Sequence, residues 1–140
     1  MSKKTVVDSS IIIKWLNTDN EQSLEQSDKL LQKARNGEIE LVAPELAKYE
    51  VGNVLLKGKQ LTPAQAKISL GTVYTLPITY VADSQELAEA TYSLAHNLGI
   101  TYYDASFMSL AKQHDAVLVT ENIKHQAKSE RIKVTSIKDY

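Results

Sequence analysis

The chain has 140 residues, 43% of them hydrophobic, which favours one compact domain spanning residues 1–140 over a disordered chain. Sixteen basic and seventeen acidic residues give a formal net charge of -1, which excludes an overall positive field that would bind nucleic acid non-specifically. There are no cysteines, which excludes a disulfide framework and thiolate metal sites.

The N-terminus reads MSKKTVVDSS and lacks the apolar core of a secretion signal. No apolar run reaches the length that spans a bilayer. We therefore expect a soluble protein that has no membrane contact and stays in the cytoplasm.

In the first half of the chain, short β-branched runs alternate with apolar residues at helical spacing. The predicted elements are a strand over 5–7 that ends at Asp8, helices over 11–16 and 23–35, a strand over 39–43, and a helix that Pro44 opens and Gly58 ends.

The same alternation continues in the second half. Thr62 and Pro63 are typical of the N-cap and first residue of a helix, and Asp83 is predicted to cap the next one. The predicted elements are a helix from 63 to about 75, a strand over 78–81, a helix ending at Gly99, a helix over 103–114, and strands over 117–120 and 133–135.

Strands that alternate with helices imply right-handed crossovers and a parallel sheet covered on both faces. We predict an α/β fold, a three-layer α/β/α sandwich with a central parallel sheet of four to five strands. Ligands of such sheets bind beyond the carboxyl ends of the strands. Asp8 follows the first strand, and Glu121 and Asn122 follow the fourth, so these residues are expected at one edge.

Two further acids could face the same edge. Glu50 borders a buried helical stripe between Ala47 and Val54, and Asp104 lies in the first turn of its helix. Converging carboxylates repel one another, by about 4 kcal/mol at about 4 Å and an effective dielectric of about 20, and a divalent cation removes this cost. Oxygen ligands suit Mg²⁺ or Mn²⁺, which support phosphodiester hydrolysis.

Three segments, VVDSSIIIKW, VAPELAKYEVGNVLLK and TYYDASFMSLAKQHDAVLVTEN, resemble the PIN-domain proteins, especially the VapC-type toxin ribonucleases. The resemblance covers nearly the whole chain and implies a PIN-like sandwich. It makes Asp8, Glu50 and Asp104 catalytic acids and ligands of Mg²⁺ or Mn²⁺, with the Ser10 hydroxyl as a helper near the metal. The fourth acid of the family falls on Asn122, which is neutral, while Glu121 keeps a carboxylate one position earlier.

The resemblance also implies a function. It predicts a metal-dependent endoribonuclease that hydrolyses RNA phosphodiester bonds and leaves a 5′-phosphate and a 3′-hydroxyl. It further implies the toxin of a VapBC-type toxin–antitoxin pair, a homodimer inhibited by a VapB-like antitoxin.

Plainer interpretations of these residues remain open. Asp8 could be only a helix cap, and Asp104 could complete a capping arrangement with Thr101. Because Asn122 is neutral, a non-catalytic or weakly active PIN-domain RNA-binding or scaffold protein is the alternative function. A phosphoaspartyl enzyme using Asp8 is disfavoured, because the sequence DSS lacks a second nearby acid.

The remaining basic and aromatic residues are weaker candidates. Lys14 and Trp15 are predicted to be surface and core residues respectively, although both could contact nucleic acid. Three lysines near the acids could bind flanking phosphates, and three histidines show no metal-ligand spacing; these are Lys48, Lys124 and Lys128, and His96, His114 and His125.

Overall fold

The computed structural model describes residues 3–121, 123 and 131–140. They contain a five-stranded, all-parallel sheet in the order β3-β2-β1-β4-β5. The strands are β1 (Lys3–Val7), β2 (Ile39–Pro44), β3 (Ile78–Val81), β4 (Val117–Thr120) and β5 (Val134–Ser136). The predicted α/β fold with a central parallel sheet is confirmed.

Helices connect the strands, as the periodicity predicts. They are α1 (Ser9–Lys14), α2 (Leu24–Arg35), α3 (Leu46–Asn53) continued by a π-helical turn (Val54–Gly58), α4 (Pro63–Val73), α5 (Gln85–Leu98), α6 (Tyr102–Gln113) and a final 3₁₀ turn (Ile137–Asp139). Helix α6 packs on β1, β2 and β4 and is backed by α5, while α2 packs on β2 and contacts α1. No helix in the described ranges is long and apolar enough to cross a bilayer.

The central strand β1 explains where a site can form. Val6 is in register with Val42 of β2 on one side and with Leu118 of β4 on the other. The chain therefore leaves β1 toward β2 and β3 and later returns to the opposite side as β4, which makes the β1–β4 boundary the switch point of the sheet. Ligands of open parallel sheets bind at this point, beyond the carboxyl ends of the strands.

Helix ends mostly follow the predicted capping chemistry. Thr62 caps α4 in a reciprocal capping box with Gln65, and Pro63 is the first helical residue, as predicted. The predicted cap Asp83 is wrong, because the Ser84 hydroxyl accepts the bond from the Leu87 amide at 3.1 Å.

Other boundaries differ from the prediction by one or two residues. The helix after β2 begins at Leu46 rather than at Pro44, because Pro44 is still paired with Val81 in the sheet. The last strand is Val134–Ser136 rather than 133–135.

Candidate active site

Asp8 lies where β1 ends and α1 begins, at the switch point of the sheet. It is the N-cap of α1, where its Oδ1 accepts a bond from the Ile11 amide at 3.4 Å, so the plain capping role is present. The Ser10 hydroxyl also donates to Oδ1, and the Thr120 hydroxyl at the end of β4 donates to Oδ2. Burial raises the pKa of Asp8 above its ordinary value, and these hydrogen bonds only partly offset the rise.

Glu50 reaches the same edge from α3. Its side chain is half-buried, and its Oε1 accepts a bond from the Ser9 hydroxyl at 3.2 Å. Burial raises the pKa of Glu50, the Ser9 bond lowers it, and the negative charges of Asp8 and Asp104 raise it further. Glu50 therefore lies within electrostatic reach of Asp8 and Asp104.

Asp104 completes the group from the first turn of α6. Its backbone amide donates to the Thr101 hydroxyl at 3.0 Å, so Thr101 is the N-cap, as predicted. The Asp104 side chain is half-buried, and its charge is one of the two that act on Glu50. We call Asp8, Glu50 and Asp104 the acidic cluster.

Ser10 and Glu121 occupy different places around this cluster. The Ser10 hydroxyl donates to Asp8 and accepts a bond from the Glu121 amide at 3.2 Å. The Glu121 carboxylate, however, forms an ion pair with Lys14 at 2.8 Å. The structure thus places Ser10 against an acid of the cluster and gives the Glu121 carboxylate a cationic partner. Asn122 lies outside the described residues.

Lys14 is the clearest difference from the sequence prediction. It was expected at the surface, but its side chain is fully buried and bonded to Glu121, to Glu21 at 3.1 Å and to the Gln22 carbonyl at 2.7 Å. Burial alone lowers the pKa of Lys14, but the bonds from Glu121 and Glu21 outweigh it, so the pKa is raised. The sequence signal for this burial is a single lysine inside the apolar run IIIKWL.

Two hydroxyl residues of the site were also missed by the sequence analysis. Ser9 donates to Glu50, and Thr120 donates to Asp8. Both are adjacent to residues that were recognised, Ser9 to Asp8 and Thr120 to Glu121. The sequence signal for both residues is a hydroxyl side chain next to an acid at the end of a strand. The direction in which that hydroxyl points depends on how β1 and β4 lie against each other.

The other candidates that the structure describes have ordinary structural positions. Trp15 packs partly buried against the core and donates its ring N–H to the Ser27 carbonyl at 2.9 Å. Lys48 pairs with Glu45 at 3.2 Å and lies over two tyrosine rings. His96 is exposed and His114 caps the end of α6, while Lys124, His125 and Lys128 lie outside the described residues.

The chemistry of the acidic cluster fits a divalent cation. Carboxylate oxygens are the ligands that Mg²⁺ and Mn²⁺ prefer, and the repulsion that raises the pKa of Glu50 is what a cation would relieve. Within residues 3–121, 123 and 131–140, no group of three or more acidic or histidine side chains stands ready to hold a metal ion.

Comparison with known proteins places this geometry in a family. The PIN domain matches residues 5–130. Among solved structures, PAE2754 from Pyrobaculum aerophilum is 25% identical, with a TM-score of 0.70 over 99% of this chain and 94% of that chain. No protein of curated function matches the sequence at a significant level.

Two more solved structures share the fold at lower identity. A toxin–antitoxin complex from Klebsiella pneumoniae is 18% identical, with a TM-score of 0.68 over 95% of this chain and 97% of that chain. VapC20 from Mycobacterium tuberculosis, a sarcin–ricin-loop-cleaving toxin, is 10% identical, with a TM-score of 0.69 over 88% and 93%. Because the family match covers most of the chain and agrees with the observed sheet, this chain belongs to the PIN domain family.

Proposed function

We propose that this protein is a metal-dependent endoribonuclease whose catalytic acids are Asp8, Glu50 and Asp104. The observation that carries the proposal is geometric. Asp8 lies where β1 ends at the switch point of the sheet, and the Glu50 carboxylate accepts a bond from Ser9, the residue next to Asp8. The charges of Asp8 and Asp104 both act on Glu50 at this edge. Such an arrangement is unfavourable for folding, because like charges are held together at a partly buried site. A site that binds a divalent cation for phosphodiester hydrolysis explains why these carboxylates lie together.

Each residue of the site has a role in the proposal. Asp8, Glu50 and Asp104 hold Mg²⁺ or Mn²⁺, which when bound activates water and stabilises charge on the scissile phosphate. Ser10 orients one oxygen of Asp8, and the Ser9 hydroxyl orients Glu50. Asn122 and Glu121 remain weaker candidates as ligands.

The proposal extends to partners by similarity. The named neighbours include a toxin–antitoxin complex and a toxin that cleaves the sarcin–ricin loop. We infer that this chain is a VapC-type toxin that acts on RNA in the cytoplasm, forms a homodimer and is inhibited by a VapB-like antitoxin. A solution mass twice the 15.6 kDa of one chain, measured by light scattering, tests the dimer.

The central test is cleavage of RNA with Mn²⁺ or Mg²⁺ and with EDTA. Asp8→Asn, Glu50→Gln and Asp104→Asn should each lower the rate by on the order of 100-fold or more. Asp28→Asn, on the exposed side of α2, is the matched control and should leave the rate unchanged. Cleavage that survives Asp8→Asn, or that ignores EDTA, would refute the proposed site.

A non-catalytic RNA-binding PIN domain is the second candidate. The neutral Asn122 and the absence of a surplus of basic residues in the sequence favour it. It predicts that RNA binds equally well with Mn²⁺ and with EDTA, that Asp8→Asn does not change the binding, and that no product forms.

A further inference from the structure

Beside the acidic cluster lies a second group of charges, which joins α1, the loop after it, the π-helical turn and the end of β4. Lys14 pairs with Glu121 at 2.8 Å and with Glu21 at 3.1 Å. Glu21 in turn pairs with Lys59 through its other oxygen at 2.7 Å. We call Lys14, Glu21, Lys59 and Glu121 the Lys14 charge cluster.

Lys14 is fixed at the centre of this cluster. A lysine ammonium has three N–H donors, and here three acceptors are present, Glu121, Glu21 and the Gln22 carbonyl. The side chain is fully buried, so its stem is immobilised by packing. A saturated, buried lysine of this kind holds its acidic partners in one arrangement, because moving either of them would leave one of its buried N–H donors without an acceptor.

The Lys14 charge cluster contacts the acidic cluster through Glu121. The Glu121 amide donates to the Ser10 hydroxyl, which donates to Asp8. Glu121 also follows Thr120 directly, and the Thr120 hydroxyl donates to the other oxygen of Asp8. The Glu121 backbone is therefore part of the surroundings of Asp8, whereas its carboxylate is bound to Lys14.

We propose that Lys14 is a positioning residue that withholds the Glu121 carboxylate from the acidic cluster. The acidic cluster consequently consists of three acids, although a fourth acid, Glu121, lies in the adjoining turn. This inference rests on the proposed function, because it concerns the cation affinity of the same site.

The test is the dissociation constant of Mn²⁺, measured by calorimetry on the full chain without RNA. Lys14→Met keeps the length of the stem and removes the charge, so Glu121 becomes free to turn toward the acidic cluster. We expect Mn²⁺ to bind about fivefold more tightly to this variant, because one more carboxylate can act as a ligand. In Lys14→Met/Glu121→Gln the affinity should return to within about twofold of the wild type.

Lys59→Met is the matched control. Like Lys14→Met, it removes one positive charge that pairs with Glu21. Unlike Lys14→Met, it leaves the pair of Lys14 and Glu121 intact. Its Mn²⁺ affinity should stay within about twofold of the wild type, since the loss of the Lys59 charge leaves Glu121 bound to Lys14 and its long-range effect on the cation is screened by salt. An equal gain in Lys59→Met and Lys14→Met would overturn the inference, and so would no gain or a loss in Lys14→Met.

Glu121→Gln alone gives an independent test if Lys14→Met does not fold. The Glu121 side chain is 44% exposed, and Lys14 keeps Glu21 as a partner in this variant. Unchanged Mn²⁺ affinity supports a withheld carboxylate, and a loss of about tenfold means that Glu121 is already a ligand.

The outcomes separate the two proposals. If the wild type binds Mn²⁺ but Lys14→Met and Lys59→Met behave alike, only the role of Lys14 fails. If the wild type does not bind but Lys14→Met does, the proposed site fails in the native chain while the withholding by Lys14 stands. No binding by any variant refutes both.

Discussion

Glu50→Gln should make the protein more stable when no divalent cation is present. Glutamine keeps an oxygen that accepts the bond from Ser9, and it has nearly the same shape as glutamate. It removes the charge that Asp8 and Asp104 repel and that burial disfavours. The substitution therefore removes an unfavourable electrostatic contribution to the free energy of folding while it keeps the packing.

The size of the effect follows from Coulomb's law. Two unit charges about 4 Å apart repel by about 4 kcal/mol at an effective dielectric of about 20 and by about 1 kcal/mol in bulk water, and the repulsion falls in inverse proportion to the distance. Glu50 is half-buried, and the loss of a charge-assisted bond from Ser9 costs part of the gain. We expect a net increase of about 1 kcal/mol in the free energy of unfolding, or about 3 °C in Tm.

The gain should depend on pH. The pKa of Glu50 is raised above its ordinary value of 4.5 in the folded protein, so the folded state binds this proton more tightly than the unfolded chain does. The penalty is therefore absent below pH 4.5, grows as the pH rises through the raised pKa, and stays constant above it. Glu50→Gln should match the wild type at pH 4 and exceed it at pH 7.

Urea unfolding in EDTA, followed by circular dichroism, measures this difference. Glu89→Gln on the exposed side of α5 is the control and should change stability by less than about 0.5 kcal/mol. Saturating Mn²⁺ should stabilise the wild type and should stabilise Glu50→Gln much less. Equal or lower stability of Glu50→Gln in EDTA at pH 7 would refute the view that the acidic cluster is under electrostatic strain.

Three further predictions test the surroundings of the site and the scaffold. Thr120→Val removes the hydroxyl that donates to Asp8 and should lower the free energy of unfolding by about 2 kcal/mol in urea titrations at pH 7. Thr62→Ala breaks the capping box with Gln65 and should cost about 1 kcal/mol in the same assay, without changing Mn²⁺ affinity in calorimetry. Asn122→Asp restores the charge that the family resemblance implies, so calorimetry should show tighter Mn²⁺ binding, and an unchanged affinity would mean that this residue does not face the cation.

The order of elements could be predicted from the sequence because local signals repeat along the whole chain. Thr62 and Pro63 determine the start of α4 through groups within one turn, and the prediction is correct there. Asp83 was a wrong cap because Asp and Ser are nearly equivalent caps, and which of two neighbours is used depends on the direction in which the chain leaves β3. Boundaries of this kind are decided by tertiary contacts.

In the candidate site, too, some features could be predicted from the sequence and others depend on tertiary contacts. Asp8 was expected at this edge because parallel strands bring their carboxyl ends together, whereas Glu50 and Asp104 were proposed from their positions on helices and from the family resemblance. The burial of Lys14 was not, since an isolated lysine normally extends to solvent and its partners here are 7 and 107 residues away in sequence. Charge pairing across such separations is visible only once the sheet order is known.

The partners of the two groups of charges differ in a way that matters for cation binding. In the described part of the chain, lysines pair with Glu21, Glu45 and Glu121, and none forms an ion pair with the acidic cluster. Asp8 and Glu50 are instead held by hydroxyls and an amide, which orient a carboxylate without neutralising it. A lysine paired directly with Asp8 would stabilise the fold but would compete with a cation for the same oxygens. Because Lys14 is bound to Glu21 and Glu121, it does not neutralise the acidic cluster. The repulsion on Glu50 costs stability, and for this reason Glu50→Gln should be more stable than the native chain.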